Sequence, residues 1–100
     1  MSVQTLQDPG EVLQVIESGK PTIIHYWDPQ MGPESPLAPM FYSKAEDHDG
    51  LSIYIVDSGF IHPEHSPDEL PLTVFYLDGI EVDAAAFDPS QIEGLFQRNT

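Results

Sequence analysis

Two short runs, TIIHYW at 22–27 and LSIYIVD at 51–57, constrain most tightly what this chain can fold into. Both are nearly continuously apolar and rich in β-branched and aromatic residues. A strand with one wet face alternates apolar with polar residues, whereas a strand without that alternation is covered on both faces. The chain is therefore expected to build a central sheet with helices packed above and below it.

The segments around these runs supply the helices. In DPGEVLQVIESG, Asp8 is read as an N-cap, Pro9 as the first helical residue and Glu11 as the far member of a capping box. Val12, Leu13, Val15 and Ile16 give the apolar face, and Gly19 suits the stop. A second helix is expected from Pro33 to about Ala45, with Pro39 removing a donor from an interior turn. EDHD at 46–49 reads as its solvated end. DPSQIEGLFQR repeats the first pattern, with Asp88 as cap, Gln91 closing a box, and Ile92, Leu95 and Phe96 facing inward. LTVFYLDGIEVDAAAF reads as a hairpin turning at Asp78-Gly79. A short first strand is expected within residues 2–6, and SGFIHPEHSPDE as loop with at most one helical turn. The order β-α-β-α-β-loop-β-β-α favours a mixed central sheet flanked by helices on both faces.

One hundred residues is the size of one small domain, residues 1–100, with no room for a second core. The N-terminal MSVQTLQDPG has no basic region followed by an apolar stretch, and no run is long enough to span a bilayer. A soluble, cytoplasmic protein is expected. Three Lys or Arg against seventeen Asp or Glu give a net charge of −14. Such a surface repels nucleic-acid phosphate and anionic lipid and attracts a basic partner. Cysteine is absent, which excludes disulfides, thiolate nucleophiles and thiol–disulfide exchange.

The stretch TIIHYWDPQMGPESPLAPMF resembles the strand, active-site loop and second helix of thioredoxin, whose pattern is VVDFWAxWCGPCKxxAP. Trp27, Gly32, Pro33, Ala38 and Pro39 stand on matching positions. ELPLTVFYLDG resembles the later thioredoxin motif xxPTxxxFxxG. The resemblance covers roughly residues 2–98 and implies an α/β thioredoxin-like fold. It implies further that Pro71 is the cis-proline facing the loop, with Leu70–Pro71 as the cis bond, and that the helix preceding it is eroded.

The departures gather at the active-site region. Met31 and Glu34 occupy the two cysteine positions, and His25 replaces the buried Asp of the family. Gln30 stands for the Trp before the first cysteine, and Leu72 for the Thr after the cis-proline. The glycine after the final strand is lost near Phe87 and Asp88. The scaffold is thus expected without its redox chemistry.

The leading expectation is a module that binds a protein or an extended, basic peptide. Its candidate surface is Trp27, Gln30, Met31, Gly32, Pro33 and Glu34 together with Phe60, Leu70, Pro71 and Leu72. Met31, Pro71, Leu72 and Phe60 would form an adaptable apolar floor. Glu34 either stabilises the start of a helix or receives a cationic group at the rim. Cysteine-less relatives of the fold, such as phosducin's C-terminal domain and calsequestrin's domains, act through binding. Asp28-Pro29 followed by Pro33-Glu34 is also similar to hydrogenase-maturation chaperones of this fold, thought to hold twin-arginine leader peptides. An alternative is a non-redox isomerase or lyase using His25 and Glu34 as an acid–base pair, and another a structural subunit of a larger assembly. HPEH at 62–65 places His62 and His65 beside Glu64, but Pro63 and the loop setting make a metal site a weak reading, and no metal or cofactor is expected.

Overall fold

The computed structural model describes residues 3–28, 30, 37–47, 50–56, 65, 71–85 and 88–99. Five strands, β1 (Gln4–Leu6), β2 (Thr22–Tyr26), β3 (Ser52–Val56), β4 (Leu72–Leu77) and β5 (Ile80–Ala85), form one sheet in the order β1-β3-β2-β4-β5. β1 and β2 flank β3 in parallel, while β4 runs antiparallel to both β2 and β5. The sheet is mixed, as expected, and β2 is central with every residue buried.

Alternation along the strands sends successive side chains to opposite faces, so two cores form. On one face Ile24, Tyr26, Val56, Val74 and Tyr76 pack against Val12 and Ile16 of helix α1 (Pro9–Glu17). On the other, Ile23, Ile53, Phe75 and Ala85 meet Phe41 and Ala45 of α2 (Ala38–Asp47) and Ile92, Leu95 and Phe96 of α3 (Pro89–Asn99). Burying each large aliphatic or aromatic side chain contributes about 1.5–3 kcal/mol. Lys44 joins α2 to α3 by pairing with Glu93, and its ammonium lies 5.6 Å from the Phe96 ring centroid.

The helix ends follow the sequence only in part. Asp8 caps α1, but its carboxylate accepts from the Gly10 N–H at 2.9 Å, and no reciprocal bond from Glu11 exists among the described residues. Asp88 likewise accepts from the N–H and hydroxyl of Ser90, not within a box with Gln91. Both boxes are therefore replaced by the local turn that Asp makes two residues ahead of itself. Pro39 is the second residue of α2, not an interior one, so its missing N–H interrupts no ladder bond.

Gly19 ends α1 with φ +79°. Asp78 and Gly79, at φ 56° and +85°, make the two-residue turn of the hairpin. The Asp78 N–H donates to the Gly19 carbonyl at 3.1 Å, tying that turn to the end of α1. A register shift in β4–β5 pairs Phe75 with Asp83 and Tyr76 with Glu81, leaving Val82 as a bulge.

Candidate functional site

β2 leads into the candidate loop, and β4 carries the opposing proline segment. The register pairs Tyr26 with Leu72 and His25 with Thr73, so the chain leaving β2 at Trp27 lies beside the chain entering β4 at Pro71. Two segments far apart in sequence, at Trp27 and Pro71, thus meet at one end of the sheet, as the family resemblance implies. Trp27 prolongs the parallel ladder, its N–H donating to the Val56 carbonyl at 2.7 Å. Asp28 then turns the chain by accepting from the Gln30 N–H at 2.9 Å.

The described members of the expected surface differ in accessibility. Gln30 is exposed. Trp27, Pro71 and Leu72 are buried, so their side chains present little surface to a partner. Met31, Gly32, Pro33, Glu34, Phe60 and Leu70 lie outside the described residues, as do the Leu70–Pro71 bond and the eroded helix.

His25 is completely enclosed, with no accessible surface. Its Nδ1 shares a hydrogen bond with Thr73 Oγ1 at 3.0 Å. Its ring lies 4.7 Å from that of Phe41 and 6.4 Å from that of Trp27, centroid to centroid. Burial disfavours the imidazolium and lowers the pKa to about 4, so His25 is neutral at physiological pH. The sequence reading singled out His25 but passed over Thr73 and Phe41. A hydroxyl directly across from a histidine was the missing signal, and it appears only once the β2–β4 register is known.

On the opposite face the hydroxyls of Tyr26 and Tyr76 meet at 2.7 Å, both side chains being essentially fully buried. Burial pushes the Tyr26 pKa up to about 12, so Tyr26 stays protonated. His65 pairs with Glu81 of β5. No group of three or more His, Asp or Glu is arranged to hold a metal ion among the described residues, and His62 and Glu64 lie outside them. No helix among the described residues is long and apolar enough to cross a membrane.

Comparison with solved structures identifies the architecture. A thioredoxin of Malassezia sympodialis superposes with a TM-score of 0.74 at 22% identity, over 98% of this chain and 93% of that one. Oxidised thioredoxin of Plasmodium falciparum gives 0.79 at 19% identity, covering 98% of both chains. A reduced thioredoxin pre-protein of Schistosoma mansoni gives 0.78 at 17%, again over 98% of each. No family model and no curated protein matches the sequence. The fold is that of thioredoxin, without a cysteine anywhere in the chain.

Proposed function

We propose that the protein is a non-redox binding module of the thioredoxin fold, acting in the cytoplasm as a chaperone, assembly or regulatory factor. Its partner is a protein or extended peptide of basic character. The binding surface is the loop Met31-Gly32-Pro33-Glu34 with Gln30 and the Pro71 segment. The observation that supports this reading is the Tyr26–Leu72 register, which sets the chain leaving β2 beside the chain entering β4 in a protein that has no thiol. An adjacency retained without redox chemistry is what a docking surface requires. The net charge of −14 favours a basic partner.

A narrower form of this proposal follows the similarity to hydrogenase-maturation chaperones, in which the partner is a leader segment bearing paired arginines. The acid–base alternative requires His25 to reach a substrate. Its complete enclosure weighs on the side of binding.

A pull-down from host extract, comparing wild type with Met31→Arg by quantitative mass spectrometry, tests the proposal. A stoichiometric partner captured by wild type and lost in the variant is expected. A partner retained equally by both would overturn the assigned surface.

A further inference from the structure

At the end of the sheet remote from Trp27 and Pro71 lies an open groove of about 540 Å³. It sits where β2 and β3 begin and where β4 and α3 end. Leu51, Phe75, Leu77 and Val82 give it apolar walls, and Arg98 and Asn99 form its polar rim. Val82 is half exposed because the bulge turns it out of the ladder. We infer that this groove binds a small monocarboxylic acid with an aliphatic or aromatic body.

The rim is built around one oriented cation. Arg98 Nε donates to Asp83 Oδ2 at 2.8 Å, and Asn99 Nδ2 donates to the same oxygen at 3.0 Å. The other oxygen of Asp83 accepts from the Ala84 N–H at 2.9 Å. Arg98 and the further hydrogen bonds hold the Asp83 carboxyl below its usual pKa, so it remains an anion engaged by three donors. Arg98 is thus fixed through Nε, while its two Nη groups carry no hydrogen bond among the described residues. Gly94, one turn earlier, leaves room for the guanidinium; a Cβ there would stand 3.1 Å from Nη1.

A planar, pre-oriented guanidinium beside apolar walls matches a carboxylate attached to an apolar body. The volume falls within the usual range for small-molecule sites. Asp83 already balances the Arg98 charge, so recognition rests on the N–H groups of the two Nη atoms, which suit one carboxylate, and the net charge of −14 disfavours multiply charged ligands such as phosphate esters. Addition of a peptide strand at this edge is opposed by the bulge and by the Asp83 side chain, which already occupies the Ala84 N–H.

The test is a titration of the 15N-labelled full chain with sodium octanoate and, separately, with 1-octanol, followed by amide chemical shifts. Octanoate is expected to give saturable shifts centred on Leu51, Phe75, Leu77, Val82 and Asn99. The neutral alcohol should bind at least about ten-fold more weakly, and Arg98→Gln should weaken octanoate by a similar factor. The wild-type comparison of acid with alcohol stands even if the variant folds poorly. Equal affinity for the alcohol, shifts centred elsewhere, or no saturation would overturn the assignment. Because the groove lies at the end of the sheet opposite Trp27 and Pro71, this result is independent of the binding function proposed above.

Discussion

The thioredoxin resemblance implies a buried carboxylate at the position of His25, and the surroundings of His25 explain how the core accepts a histidine there. The ring is neutral, bonded to Thr73 and packed against Phe41. In the unfolded chain its pKa returns to about 6.5, so below that pH the unfolded state binds a proton that the native state refuses until about pH 4. Stability therefore rises with pH across this window and is lost on acidification. Between pH 7.5 and 4.5 His25 should cost the wild type about 2–3 kcal/mol that His25→Asn does not lose. Urea unfolding of both proteins at the two pH values measures the difference; parallel pH dependences would contradict the assigned neutral state. Thr73→Val keeps the shape of the side chain but removes this hydroxyl partner, and should destabilise the protein by about 1–2 kcal/mol at pH 7.5.

Among the elements, local chemistry was the most legible. The unbroken apolar runs marked β2 and β3, and Asp78-Gly79 marked the hairpin, because each signal lies within a few adjacent residues. Asp8 and Asp88 were readable as caps, but their carboxylates bond to N–H groups two residues on, leaving Glu11 and Gln91 no part in a box. The Val82 bulge carries no glycine or proline to announce it. The His25–Thr73 and Tyr26–Tyr76 pairs depend on strand register between segments far apart in sequence, so neither was visible beforehand. Two substitutions test the local devices by equilibrium unfolding. Asp8→Ala removes the α1 cap and should cost about 1 kcal/mol. Gly79→Val forces a β-branched residue into φ +85° and should cost about 1–3 kcal/mol. A change below a few tenths of a kcal/mol in either variant would contradict its assigned role.

On the scale of the whole molecule, the motif match at Trp27, Ala38, Pro39 and Pro71 was enough to specify the thioredoxin fold, and the missing cysteines were enough to remove its reaction. What the sequence did not reveal is that Trp27, Pro71 and Leu72 are buried, which shifts the proposed contacts toward Gln30 and residues 31–34. The sheet also has two distinct ends, with Trp27 and Pro71 at one and the Arg98 groove at the other. The decisive measurement is selection of extended peptides from a random display library on the purified protein, followed by amide-shift mapping of the best binder. Selected peptides are expected to be basic, to shift Asp28, Gln30 and Leu72, and to lose binding on Met31→Arg. Peptides without basic character whose shifts leave Gln30 and Leu72 unmoved, and whose affinity survives Met31→Arg, would contradict the proposed docking surface.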